Sequence, residues 1–231
     1  MINTISATIN EIWEQSAKIL SGKLEEAGRA DKKVLVLLSG GSAISIFQWL
    51  CDYFPNLAIR ADNIAFGQID ERFQPVDQSE INSYAIEKSG LTELLTSKNI
   101  PFYKIPQTGT FREAAFNYDK LLTKLFGNFD YKIAVLGIGR DGHTAGLLRG
   151  YKREWDKDMM VTGYENRGEF KYRITITPKV FRMLDYGLIT VSGIDKKEMV
   201  ERILNNESED VNNIPGILIH KIKEADLVTG F

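Results

Sequence analysis

Tyr131-Lys132-Ile133-Ala134-Val135-Leu136 runs directly into Gly137-Ile138-Gly139-Arg140-Asp141-Gly142-His143-Thr144-Ala145. The first half is a short apolar run, the pattern of a strand covered on both faces. The second half is a Gly-rich loop, and α/β proteins place their chemistry in loops that follow such strands. His143 is one of only two histidines in the chain. A histidine exchanges a proton near neutral pH. Set in a Gly-rich loop beside Asp141, it reads as a candidate catalytic residue, because such loops are poor places for side chains that only pack.

Outward from this stretch, the same alternation recurs. Lys33 to Leu38 is a continuous apolar strand, broken by Ser39-Gly40-Gly41-Ser42 and followed by a helix from Ile44 to Tyr53. Asn63 to Ile69 is a strand that opens into a polar loop, Asp70 to Asp77. Ile81 to Leu95 holds one or two helices, Pro101 to Ile105 a short strand, and Phe111 to Phe126 a helix. Beyond the Gly-rich loop, Met159 to Gly163, Tyr172 to Ile176 and Tyr186 to Val191 read as strands. Pro178 opens a short helix through Met183, Lys196 to Leu204 is a helix, and Asn205 to Asn213 is a polar loop. At the other end, Ile9, Ile12, Trp13, Ala17, Ile19 and Leu20 give Ile5 to Ala27 a helical stripe. Strands alternating with helices predict an α/β fold with an open, mainly parallel sheet flanked by helices. With no linker or internal repeat, residues 1–231 read as a single domain.

Composition narrows the classes of function. Of 231 residues, 43% are apolar and 26% charged, enough for a full core and an ordinary polar surface. A net charge of −2 argues against a strong hold on nucleic acid or an anionic membrane. Cys51 is the single cysteine, so no internal disulfide forms and a cysteine metal site is not expected. Neither a secretory signal nor a membrane-spanning run is visible, and the expected location is the cytoplasm.

Each motif has to be weighed against simpler readings. Gly137-x-Gly139-x-x-Gly142 formally fits a dinucleotide fingerprint, but only about six residues follow before Arg149-Gly150, too few for the full helix that fingerprint opens. Arg140 and Asp141 would also crowd a pyrophosphate. Ser39-Gly40-Gly41-Ser42 lacks the Lys-Ser/Thr ending of a P-loop. Between a strand and a helix it still suits an anion, held by backbone N–H groups. Asp70-Glu71-Arg72 ends another predicted strand, and strand ends of a parallel sheet converge on one rim. That would gather Asp70, Arg72, the Ser39 loop and His143. His220 has no such setting and reads as structural or as a rim residue. The histidines lack close ligand partners, so no metal is expected, and no G-x-S-x-G elbow is present.

These motifs, in this order, resemble 6-phosphogluconolactonases, which share a superfamily with glucosamine-6-phosphate deaminase/isomerases. The resemblance runs from about Lys33 to His220 through Ser39-Gly40-Gly41-Ser42, Asp70-Glu71-Arg72-Phe73-x-Pro75 and Gly137-Ile138-Gly139-x-Asp141-Gly142-His143-Thr144-Ala145. Asn82, Arg173-Ile174-Thr175, Gly193-x-x-Lys196 and Pro215-x-x-Leu218-x-His220 extend it. It implies a sheet of the deaminase type and hydrolysis of 6-phospho-D-glucono-1,5-lactone to 6-phosphogluconate, a step of the pentose phosphate pathway. His143 would be the general base, and Asp141 would orient it or cap the loop. Asp70 and Arg72 would complete the catalytic set, Arg72 serving the oxyanion or the phosphate. Ser39, Gly40, Gly41, Ser42, Arg173 and Lys196 would hold the phosphate. Neither cofactor nor metal is implied; the partner is a sugar-phosphate lactone, and monomer and homodimer both stay open.

Two alternatives remain at this stage. The deaminase branch keeps a Glu five residues after the histidine, where this chain has Leu148. A non-catalytic sugar-phosphate-binding protein would not need His143, and the regulators of that kind carry a helix-turn-helix. The residues before Lys33 read as one helix, with no room for that unit. Where the family continues Thr-Ala with Ser-Leu-Phe-Pro-Gly, this chain has Gly146-Leu147-Leu148-Arg149-Gly150.

Overall fold

In the computed structural model, which describes residues 1–150, 152, 158–205 and 208–231, every residue of β2 (Val34–Leu38) is buried. Its side chains alternate between two cores. Leu35 and Leu37 join one cluster, Val34, Val36 and Leu38 the other. The neighbouring β6 (Tyr131–Gly137) divides in the same way, Ala134 and Leu136 against Ile133 and Val135. That is why these runs are apolar throughout: both faces of the strand are covered. Each such aliphatic side chain contributes about 1.5–3 kcal/mol on leaving water.

Around this pair stand β1 (Ile2–Ser6), β3 (Ile64–Gln68), β5 (Phe102–Tyr103), β9 (Tyr186–Ser192) and β10 (Glu224–Gly230). The order is β1-β10-β9-β6-β2-β3-β5, and every pairing is parallel. On one face α1 (Ile12–Arg29) and α2 (Ile44–Tyr53) pack together. On the other lies α5 (Phe111–Asn128), opened by a capping box between Thr110 and Glu113. The remaining helices are α3 (Asn82–Lys88), α4 (Leu91–Ser97), α6 (Pro178–Phe181) and α7 (Lys197–Asn205).

Strand order reverses between β2 and β6. After β2 the chain moves to β3 on one side; after β6 it moves to β9 on the other. The loops leaving these adjacent strands diverge, and a crevice opens at the carboxyl ends between them. Ser39–Ser42 and Gly137–His143 are those two loops.

Three expectations need correction. Ile5 to Ala27 is not one helix: Ile2–Ser6 forms the edge strand β1, and the helix begins only at Ile12. The β-branched residues Ile2, Thr4 and Ile5 pair in parallel with β10, an interaction across the whole chain that no local pattern announces. Asp70 to Asp77 is not wholly loop: β4 (Asp70–Arg72) pairs with β8 (Tyr172–Ile176), which pairs with β7 (Val161–Glu165). This second, antiparallel sheet of three strands was not expected. In the polar stretch Asn205 to Asn213, Asn205 closes α7, and residues 206 and 207 lie outside the described residues.

Tyr118 ties α5 to the sheet. Its buried hydroxyl donates to the Gln68 carbonyl at 2.8 Å and accepts from the Gln68 N–H at 2.7 Å. Burial holds the phenol well above its ordinary range, so it stays protonated. Tyr118→Phe leaves both backbone groups without this partner and is expected to lower the unfolding free energy by about 1–3 kcal/mol. Urea denaturation measures it; an unchanged midpoint would mean the tie carries no stability.

Candidate active site

The crevice is a cavity of about 320 Å³. One wall is the Ser39–Ser42 loop. It passes so close to Asn82 that a Cβ at Gly40 would collide with the Asn82 amide, so only glycine fits there. Ser39 is 5% exposed, lines the cavity, and its Oγ has no hydrogen-bond partner.

The floor comes from β4. Asp70 and Arg72 face the cavity, while Glu71 points away into the protein. Glu71 is fully buried, and its carboxylate accepts four N–H groups. These come from the Gln68 amide (2.7 Å) and the backbones of Arg72 (2.9 Å), Asn82 (2.5 Å) and Ser83 (2.8 Å). Burial pushes its pKa up, and these donors oppose the shift. Asn82, fixed in this way, donates to the Asp70 carbonyl at 3.0 Å and to its carboxylate at 3.3 Å. Burial also raises the Asp70 carboxyl, against the pull of Arg173, Arg72, His143 and the Asn82 bond.

The opposite wall is the loop after β6. The Gly139 N–H donates to the His143 carbonyl at 2.9 Å, and the Thr144 hydroxyl to the Gly137 carbonyl at 2.9 Å. The His143 imidazole lies over Gly139, where any Cβ would strike the ring. Its Nδ1 is 2.5 Å from Asp141 Oδ1. An ionised carboxylate only accepts, so Nδ1 carries the hydrogen, and Nε2 is left as the nitrogen that takes a proton. The same bond is the main reason that the Asp141 carboxyl falls to about 2. Lys196 lines the cavity from the 3-10 turn after β9, and Arg140 pairs with the neighbouring Asp195.

Ser39, Gly40, Gly41, Ser42, Asp70, Arg72, His143, Arg173 and Lys196, expected from the sequence, all line this one cavity. Asp141 is behind the lining, on His143. His220 is elsewhere, its Nε2 2.9 Å from the Ile203 carbonyl. Arg140 and Ala145 also line the cavity, although neither was singled out for it. The charge of Arg140, within the glycine loop, was the available signal. The dinucleotide reading finds no support: a short turn closed by the Thr144–Leu147 bridge follows the loop, not a helix. No described helix is long and apolar enough to cross a membrane.

The sequence matches the family of glucosamine-6-phosphate isomerases/6-phosphogluconolactonase over residues 7–228. It is 28% identical over 188 residues to a 6-phosphogluconolactonase of Thermotoga maritima, covering 78% of each chain. In structure it resembles the 6-phosphogluconolactonase from Plasmodium vivax, with a TM-score of 0.83 and 16% identity over 100% of this chain and 90% of that one. A monomeric glucosamine-6-phosphate deaminase matches with a TM-score of 0.77 and 17% identity over 99% and 97%. These two likenesses establish the fold, an open and mainly parallel sheet flanked by helices.

The Asp141–His143 bond has a measurable signature. In the folded protein Asp141 is expected to titrate near 2, below its ordinary 3.8. The bond therefore contributes fully above the ordinary carboxylate value and fades as pH falls through about 2. Carboxyl-carbon NMR reads this directly, and His143→Ala is expected to return Asp141 towards 3.8. A carboxyl that titrates at its ordinary value in the parent protein would rule the bond out.

Proposed function

The chain belongs to the glucosamine-6-phosphate isomerase/6-phosphogluconolactonase family, and from this we propose that it hydrolyses 6-phospho-D-glucono-1,5-lactone to 6-phosphogluconate in the cytoplasm. The observation that carries the reading is a histidine with Nδ1 anchored on Asp141, in a cavity shared with a buried carboxylate and several cations.

In the proposed reaction, neutral His143 accepts through Nε2 a proton from water as the water oxygen attacks the lactone C1. The carbonyl oxygen takes up the negative charge. When the C1–ring oxygen bond breaks, the imidazolium returns its proton to the departing ring oxygen, leaving a carboxylic acid that ionises in water. Asp141 keeps the ring in one tautomer and stabilises the imidazolium. General base catalysis of this kind contributes ~10²–10⁴-fold. The backbone N–H groups of Gly40, Gly41 and Ser42 hold the phosphate, with charge from Lys196 and Arg173. Arg72 meets an anionic oxygen of the substrate. Asp70 lies within the field of both arginines and offsets part of their charge.

The chemistry also separates the two branches of the family. For ring opening and proton transfer between carbons the deaminase branch keeps a Glu five residues after the histidine. Leu148 stands there, has no exchangeable proton and is not among the residues lining the cavity.

His143→Ala is expected to cut lactone turnover by at least about 10²-fold while the protein stays folded. Proton release from freshly made lactone, corrected for its spontaneous opening, is the assay; turnover within about threefold of the parent would remove His143 from the base role. Glucosamine 6-phosphate is expected to yield no ammonia above the enzyme-free rate. Ammonia release that disappears in His143→Ala would reassign the chain to the deaminase branch.

A further inference from the structure

Arg72 on β4 and Arg173 on β8 are direct cross-strand partners. Like charges placed opposite each other repel, and a sheet normally avoids the arrangement. Both line the cavity, and Asp70 is the buried carboxylate that acts on both. One further group touches the pair. The ring of Phe170 has the Arg72 guanidinium 4.5 Å from its centroid and that of Arg173 at 5.4 Å. Both distances fall within the range of cation–π attraction.

The backbone around Phe170 is tied down. The residue stands in the turn joining β7 to β8, where the Asn166 N–H donates to the Lys171 carbonyl at 2.6 Å and the Asn166 amide to the Phe170 carbonyl at 3.4 Å. Arg72 is held further by a 2.6 Å bond from Nη1 to the Glu80 carbonyl. Arg173 is held differently: its Nε is buried and has no hydrogen-bond partner. Two guanidiniums that face one cavity across neighbouring strands and meet the same ring form a donor set suited to an anion.

We infer that Phe170 is a positioning residue: its ring holds the Arg72 and Arg173 guanidiniums side by side as a clamp for the phosphate of the substrate. Without the ring the two charges would separate, and each would have to be brought back when the anion binds. The cost of that reordering falls on binding rather than on the chemical step. This inference rests on the proposed lactonase reading only for the identity of the phosphorylated ligand.

The test uses Phe170→Ala, Phe170→Leu and Phe170→Tyr, with circular dichroism to confirm folding. Phe170→Ala is expected to raise KM for the lactone about 5- to 30-fold, the range spanned by cation–π contacts, and to leave kcat within about threefold. Leu fills much of the same space without a ring face and is expected to keep most of the defect; Tyr is expected to restore KM to within about twofold. Calorimetric binding of inorganic phosphate is expected to weaken in the same order. KM unchanged in Phe170→Ala, or restored by Leu as fully as by Tyr, would reduce Phe170 to packing and overturn the inference. A fall in kcat at constant KM would overturn it too, because the clamp would then act on the transition state. If the parent protein does not turn over the lactone, the proposed reaction fails while the phosphate titrations still test the clamp. If it binds no phosphate either, the clamp fails as well.

Discussion

The cavity depends on one buried carboxylate that is not part of its lining. Glu71 gathers four N–H groups from β4, from the start of α3 and from the end of β3. Each tie has a consequence at the site. The bond to the Arg72 N–H fixes the backbone of a strand whose side chains face the crevice. The bonds to Asn82 and Ser83 anchor the segment that places the Asn82 amide against Asp70 and Gly40. The bond from Gln68 leads on to Tyr118 and, through Gln68 Oε1, to the Ile105 N–H at 2.7 Å. A carboxylate satisfied only by donors is rigid, since moving any one element strands a buried charge. Two walls of the cavity are therefore held in register by a group that does not line it.

The sheet supplies the other half of the construction. A parallel sheet covered on both faces turns all of its strand ends the same way, and the reversal between β2 and β6 opens a gap at that rim. The gap accounts for why two glycine turns, about a hundred residues apart in sequence, meet in one cavity. The small antiparallel sheet then adds a third side. It carries Arg72 and Arg173 on adjacent strands, a closeness that depends on pairing between segments far apart in the chain.

The sequence was most legible where local physics decides. Doubly covered strands read as apolar runs, and glycine turns read as turns. The loop around His143 could be recognised because a histidine, an aspartate and three glycines have little reason to occur together by packing alone. It was least legible where a distant partner decides. Ile2–Ser6 is a strand because β10 is beside it. Asp70-Glu71-Arg72 has no intrinsic strand preference; β8 imposes it. Phe170 lies in a polar hairpin turn without periodicity, and only the fold brings two arginines to its ring. Arg140 was visible as a charge, but nothing in the chain's linear order paired it with Asp195.

The alternation within β4 carries a consequence of its own. Successive side chains of a strand point to opposite sides, so Asp70, Glu71 and Arg72 interleave cavity-facing and architectural positions one residue apart. Two carboxylates of nearly equal chemistry thus have unrelated tasks, and only the parity of the strand separates them. Losing or gaining a single residue between Gln68 and Asp70 would exchange their places: the keystone would enter the solvent-filled crevice and the crevice carboxylate would enter the core. Length in this segment is therefore far more constrained than composition, and natural variation should enter it by substitution, with insertions confined to the turn beyond Phe73.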